Sequence, residues 1–149
     1  MKNLSEKLIP LLKKGSCTPQ ISVLAKKLGQ PATTIHYNIK KLEREKAILS
    51  YKAVFDGKRI GEGFTVFALL SLSPDEYGDP ERVATVLSSH PEVESVDICT
   101  GDWEAVIKIK TKDQDSYFQF IKRALSMKGI IKIKSLTSLK QVKTEFVTL

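Results

Sequence analysis

The sequence has little of what a disulfide scaffold, a metal centre or a membrane protein needs. Its 149 residues include two cysteines and two histidines. Cys17 and Cys99 lie far apart and in no metal-ligand spacing, so neither a disulfide framework nor a zinc site is predicted. No apolar run approaches the roughly 18 residues of a membrane span, and the N-terminal residues carry no apolar signal core. We therefore expect a cytoplasmic protein with no metal and no membrane association.

Acidic residues are scarce in only one part of the chain. Residues 1–63 hold 13 Lys and Arg against 5 Asp and Glu, a net charge of +8, whereas residues 64–149 hold 11 against 12, a net charge of −1. This asymmetry predicts a polyanion-binding module joined to a nearly neutral one. A solvated lysine-rich surface is the alternative that charge alone leaves open.

The first 50 residues predict three helices. Leucines at spacings of three and four predict an amphipathic helix over residues 4–14. A Thr-Pro pair at 18–19 predicts the start of a second helix, which Gly29 ends. Pro31 opens a third helix that runs through about Lys46. A turn of about three residues between the last two helices is typical of a helix-turn-helix.

The third predicted helix presents a polar outer face. Its side chains offer hydroxyl, imidazole, phenol and amine groups, which suit base edges and phosphates. A solvated structural helix would more often alternate Glu and Lys. We interpret this face as a DNA-binding surface, in which Asn38 could read adenine. The other residues on this face are Thr33, Thr34, His36, Tyr37, Lys40, Lys41 and Arg44.

A glycine-rich segment separates the two halves of the chain. Residues 50–55 have the composition of a strand, either a wing or a connecting strand, and three glycines between 57 and 63 mark a hinge. The predicted divisions are residues 1–50, a helix-turn-helix DNA-binding domain, residues 51–63, a connecting strand and hinge, and residues 64–149, a second domain.

The second half predicts strands and helices in the order β-α-β-β-α-β. This order is the ferredoxin-like arrangement, an antiparallel sheet with both helices on one face. The other face would leave apolar strand residues uncovered, so we expect a dimer. The fold class is therefore α+β, with a (winged) helix-turn-helix before the ferredoxin-like domain. The predicted strands cover 64–72, 93–100, 105–110 and 130–142, and the predicted helices cover 80–90 and 116–127.

These two halves, in this order, resemble the Lrp/AsnC (leucine-responsive, feast/famine) family of transcription regulators. In the first half the resemblance rests on Leu24-Ala25-Lys26-Lys27-Leu28-Gly29, Thr33-Thr34-Ile35 and Ile39-Lys40-Lys41-Leu42-Glu43. Its most specific stretch is Thr100-Gly101-Asp102-Trp103-Glu104, which is similar to the family's Gly-Asp-aromatic-Asp signature before an apolar strand. Two departures are Lys46, where the family has a glycine that ends the helix, and Glu104, where aspartate is commoner.

The resemblance implies that residues 64–149 form an oligomerisation and effector domain. It implies homodimers built through the C-terminal sheets, often joined into tetramers, octamers or rings, and double-stranded DNA sites that are pseudo-palindromic. It also implies a free amino acid as effector, bound between neighbouring dimers near the Gly-Asp loop, with no other cofactor. The effector-site residues that it implies are Thr100, Gly101, Asp102, Glu104, Ser135 and Thr137.

The carboxylates of Asp102 and Glu104 allow more than one interpretation. Two residues apart at a strand start, they point to the same side, which suits an α-ammonium group; an acid/base pair or a structural cap of the loop are the alternatives. No nucleophile or phosphate-binding loop accompanies them, so we do not expect an enzyme. We predict a sequence-specific transcription regulator that assembles through its C-terminal domain and responds to an amino acid. An effector-independent architectural or autoregulatory DNA-binding protein is the alternative.

Overall fold

The structure, a computed structural model, describes residues 3–144 and 147–148. The chain divides into two compact units, Met1–Val54 and Phe55–Leu149. The first unit contains three helices: α1 (Leu4–Lys13), α2 (Ile21–Leu28) and α3 (Ala32–Arg44). In the described part of the chain, no helix is long and apolar enough to cross a membrane.

The helix ends in the first unit follow local backbone preferences. Gly29 ends α2 with φ 60° and ψ 33°, the left-handed conformation predicted for it. Lys46 also adopts a positive φ, 59°, beyond the end of α3, so the chain accepts a left-handed non-glycine residue here. The predicted start of α2 at residues 18–19 is wrong: the first helical bond runs from the Leu24 amide to the Gln20 carbonyl, so α2 begins at Ile21.

Residues 50–55 do not form the predicted strand. They have no regular secondary structure, and the Ala53 amide donates to the carbonyl of Leu12, at the end of α1, over 3.4 Å. A strand needs a second strand to pair with, and this segment has a helix end as its backbone partner instead. The segment is therefore a connection between the helices and the second unit.

The first unit buries little apolar surface. Ile35 on α3, 8% exposed, is its one buried residue among those described. The apolar stripe of α1 remains open, with Leu4, Leu8 and Leu11 all more than 40% exposed.

The second unit is built around a four-stranded antiparallel sheet with the strand order β2-β3-β1-β4. Its elements alternate as the sequence predicts, although the last strand ends earlier. The strands are β1 (Phe64–Leu72), β2 (Val93–Ile98), β3 (Ala105–Thr111) and β4 (Ile130–Thr137). The helices are α4 (Pro80–Ser88) and α5 (Gln114–Phe120), which continues as one π-helical turn, Ile121–Leu125. A separate pair of two-residue strands follows, β5 (Lys143–Thr144) and β6 (Val147–Thr148).

The two faces of this sheet differ in what covers them. One face packs against α4 and α5, and the side chains between sheet and helices form the core of the unit. Leu70, Ile107 and Phe120 lie at its centre, each 0–1% exposed. On the opposite face Phe67 and Leu136 are 38% and 47% exposed. The unpartnered apolar face that the sequence predicts is thus present.

Candidate nucleic-acid interface and effector loop

The exposed face of α3 carries all eight residues predicted to bind DNA. At about 100° of rotation per residue, Thr33, Tyr37, Lys40 and Arg44 fall along the middle of this face. His36 lies at one margin and the others extend toward the opposite margin. All eight side chains are exposed: Thr33, Thr34, His36, Tyr37, Asn38, Lys40, Lys41 and Arg44.

A shallow hollow of about 500 Å³ opens on the same face. It forms where the first residue of α2 meets the first three turns of α3. The hollow gives the polar surface a recess beside exposed phenol, imidazole and ammonium groups. The residues that line it are Ile21, Ala32, Thr33, His36, Tyr37 and Lys40.

Glu43 pairs with Lys40, one of the lysines predicted to bind phosphate. The ammonium group of Lys40 lies 2.7 Å from the Glu43 carboxylate, which also accepts a hydrogen bond from the Tyr51 hydroxyl over 3.1 Å. The Lys40 hydrogen bond is the main cause that lowers the pKa of Glu43, and the same bond raises the pKa of Lys40. Sequence reasoning missed Glu43, although its spacing of three residues from Lys40 on one helix was a usable signal.

The remaining polar side chains of α3 differ in whether they already make hydrogen bonds or ion pairs within the chain. The Asn38 amide donates to the backbone carbonyl of Thr34 over 2.8 Å, so one of its donors is occupied within the helix. Lys41 is 3.9 Å from Glu45, a loose pair between two half-exposed side chains. Arg44 makes no ion pair within the described residues. Lys41 and Arg44 are therefore more available to phosphates than Lys40.

The loop between β2 and β3 carries four of the six predicted effector residues, Thr100, Gly101, Asp102 and Glu104. Gly101 adopts a φ of 103°, which an L-residue tolerates poorly, so the loop depends on glycine at this point. Thr100 and Asp102 are exposed, and the predicted aromatic Trp103 is half-buried. The Cys99 amide donates to the Glu104 carbonyl over 2.8 Å and closes the loop.

The carboxylate of Glu104 caps the end of β1. It accepts a hydrogen bond from the Leu72 amide over 2.9 Å. This backbone bond is the largest of the causes that lower the pKa of Glu104, and hydrogen bonds from Ser71 and Tyr77 lower it further. Of the alternatives open for Glu104, this geometry favours a structural cap, whereas Asp102 stays open to solvent.

Ser135 and Thr137 lie away from this loop within one chain. On β4 they pair with Ala68 and Val66, whereas Glu104 bonds Leu72. Four residues along β1 separate Ala68 from Leu72, which corresponds to about 13 Å. The Ser135 hydroxyl is 2.6 Å from the Tyr117 hydroxyl. The six predicted effector residues therefore fall into two groups in a single chain.

The described residues hold no cluster of three or more His, Cys, Asp or Glu side chains suited to a metal ion.

Together, a three-helix unit with a basic, polar helix face and an α+β unit with an open sheet face define a DNA-binding regulator. Residues 65–148 match the family model described as the Lrp/AsnC ligand binding domain. The chain belongs to the Lrp/AsnC family.

Individual relatives agree with this assignment. An HTH-type transcriptional regulator of Pyrococcus furiosus is 30% identical over 133 residues, which cover 89% of each chain. The DNA-binding transcriptional activator DecR of Escherichia coli K12 is 26% identical over 141 residues, which cover 94% of this chain and 92% of DecR. The crystal structure of an AsnC family regulator from Agrobacterium tumefaciens superposes with a TM-score of 0.75 at 26% identity, covering 97% of this chain and 94% of that chain.

Proposed function

We propose that the chain is a sequence-specific, DNA-binding transcription regulator in which α3 is the recognition helix of a helix-turn-helix. The exposed α3 face carries this proposal, because it joins base-reading side chains to three cations in a unit of strongly positive charge. Three residues separate α2 from α3, the short turn that this arrangement requires. The relatives that are named HTH-type regulators support the same function.

Phosphate contacts are tested by the salt dependence of binding. Each protein–phosphate contact contributes about −0.9 to the slope of log K against log salt. We expect Lys41→Ala and Arg44→Ala each to reduce the slope on a selected pseudo-palindromic duplex by about 1 per protomer in contact. Lys122→Ala, on the π-helical turn of the second unit, is the matched control. If neither variant changes the slope, α3 is not part of the DNA interface.

We also propose that the second unit is a ferredoxin-like domain that forms a homodimer through its uncovered sheet face. Phe67 and Leu136 sit side by side on this face in the β1–β4 register, so a second copy would bury a continuous apolar patch. A two-fold dimer presents two recognition helices to a pseudo-palindromic operator. Dimers of this kind could assemble further into tetramers or octamers.

The effector, in this proposal, is a free amino acid bound at the β2–β3 loop. Asp102 is exposed and able to pair with an α-ammonium group, and Gly101 allows close approach of a carboxylate to the backbone. A regulator from Neisseria meningitidis, 20% identical and with a TM-score of 0.74, was crystallised as an L-Met complex. Because Ser135 and Thr137 lie apart from the loop, a second chain would have to bring them to it.

Sedimentation with each of the twenty amino acids tests this effector. We expect at least one to change the assembly of the unmodified protein, and Asp102→Ala to abolish the response while basal DNA binding persists. Asp75→Ala, in the short helical turn Pro74–Glu76, is a matched control for loss of an acidic side chain.

A second candidate is an effector-independent architectural or autoregulatory DNA-binding protein. It is favoured by the hydrogen bond from the Leu72 amide to Glu104, because a carboxylate that caps β1 is not free to hold an ammonium group. The absence of any response across the twenty amino acids would favour this candidate.

A further inference from the structure

Two helices supply aliphatic groups to the hollow on the α3 face. Ile21 is the half-buried first residue of α2, and Ala32 is the exposed first residue of α3. Thr33 adds a methyl group beside its hydroxyl. We call these three side chains the apolar lining of the hollow. A surface that reads bases only through hydrogen bonds has no use for Ile21 and Ala32, so their presence indicates a second kind of contact.

The hollow lies at the end of α3 that a recognition helix directs toward base edges. In helix-turn-helix proteins the N-terminal residues of this helix contact bases in the major groove, and Ala32 and Thr33 are the first two residues of α3. Residues 1–63 hold 13 Lys and Arg against 5 Asp and Glu, a net charge of +8. This charge favours a polyanion as the occupant of the hollow and disfavours a second copy of the same basic unit.

The chemistry of the base edges selects which base suits an apolar lining. In the major groove only thymine presents an apolar group, its C5-methyl, whereas the other bases present hydrogen-bonding groups alone. Placing a polar edge against Ile21 and Ala32 would remove water from that edge without a replacement hydrogen bond, which is unfavourable. Burial of a methyl group in the same place is favourable. The apolar lining therefore discriminates in favour of thymine.

We propose that the hollow receives the C5-methyl group of one thymine in each half-site of the operator, and that Ile21 and Ala32 are specificity-determining residues. This inference rests on the proposed DNA-binding function and adds the base that α3 reads. The hollow is about 500 Å³, so the edge of the base enters with its methyl group. The O4 acceptor of thymine is next to the methyl on the ring and faces the hydroxyls of Thr33 and Tyr37, which line the same hollow.

Deoxyuridine scanning of a duplex selected from random sequences tests this contact. Uracil lacks only the C5-methyl of thymine, so each replacement leaves the hydrogen-bonding groups of the base pair in place. At the thymine that enters the hollow, we expect uracil to raise the Kd about 4-fold in one half-site and about 15-fold in both, as burial of one methyl group predicts. Fluorescence anisotropy with the full chain at one salt concentration measures the Kd, and the other thymines of the duplex serve as references.

Protein variants connect the methyl group to the hollow. For each variant we compare the Kd for uracil with the Kd for thymine on the same preparation, so a partial loss of folded protein cancels from the ratio. A ratio that falls from about 4 to about 2 or less in Ile21→Ala or in Ala32→Ser supports the proposal. Val23→Ala is the matched control, because Val23 is a 41% exposed aliphatic residue of α2 outside the lining, and it should keep the ratio. Circular dichroism shows whether each variant is folded.

The outcomes separate this inference from the DNA-binding function on which it rests. If Lys41→Ala and Arg44→Ala reduce the salt slope but no thymine responds to uracil, the hollow does not read a methyl group while the DNA-binding face stands. The same conclusion follows if the response to uracil persists in both Ile21→Ala and Ala32→Ser. If neither cation variant changes the slope, the DNA-binding face and the thymine contact are both wrong.

Discussion

Glu43→Gln should strengthen DNA binding, although Glu43 is itself not one of the residues expected to touch DNA. In the folded protein its carboxylate holds the Lys40 ammonium group at 2.7 Å. An amide at this position keeps an acceptor for the Tyr51 hydroxyl but removes the charge that retains Lys40. The freed lysine, at the middle of the α3 face, then becomes available for a phosphate contact.

The expected size follows from counterion release. One additional phosphate contact per protomer steepens the salt slope by about 0.9, and a dimer on its operator gains two, or about 1.8. Over a four-fold rise in salt from 50 to 200 mM, the variant should therefore lose about 10-fold more affinity than the unmodified protein. At the low-salt end its binding should be tighter.

Fluorescence anisotropy with one selected duplex over a salt series measures both quantities. Glu45→Gln is the matched control, because the 3.9 Å separation from Lys41 indicates a looser pair and predicts a smaller change. Tyr51→Phe removes a hydrogen bond to Glu43 without releasing Lys40, so its slope should not change. The reasoning fails if Glu43→Gln keeps the original slope, or if it steepens the slope equally in a Lys40→Ala background.

Three other changes have defined outcomes. Tyr37→Ala should relax sequence preference, at about 1–3 kcal/mol for a lost base contact, as measured by selection from random duplexes; an unchanged consensus would place the reading face elsewhere. Lys46→Gly should raise thermal stability, because the left-handed conformation costs a non-glycine residue roughly 1–2 kcal/mol; a lower Tm would contradict the strain. Glu104→Gln should destabilise the fold at neutral pH. Since the folded pKa of Glu104 is lowered, the advantage of the carboxylate is present above the unfolded value of about 4.3 and is lost as pH falls through the folded pKa. Thermal unfolding over a series of decreasing pH from 7 measures it, and a difference between the variant and the unmodified protein that does not shrink as the pH falls would refute this origin.

Local rules predicted the framework of both units. Gly29 ends α2, and in β3 the apolar Ile107 and Ile109 alternate with Lys108 and Lys110; both patterns depend on neighbouring residues, and the structure follows both. The prediction of a strand over residues 50–55 was wrong, because a strand needs a second strand to pair with and composition does not reveal whether one is present.

The sequence predicted which residues belong to the candidate sites better than it predicted the contacts that these residues make. The exposed α3 face follows from helical periodicity, but the second hydrogen bond to Glu43 comes from Tyr51, which lies beyond the end of α3. The loop signature likewise places Asp102 and Glu104 together without showing that Glu104 turns to the end of β1. These contacts depend on the tertiary structure, which a sequence motif does not reveal.

The position of Asp97 in β2 shows how one irregularity in a strand determines which side chains lie on a sheet face. A regular β2 paired from Val93 onto Ile109 would bring Asp97 opposite Ala105, and so onto the helix-covered face. The observed register shifts between Val93 and Ser95, and Asp97 instead pairs with Val106 on the open face. Because side chains alternate with a period of two, a shift of one residue exchanges the two faces. Alternation in the sequence therefore indicates that β2 has two sides, but only the bulge determines that the Asp97 carboxylate lies on the open face.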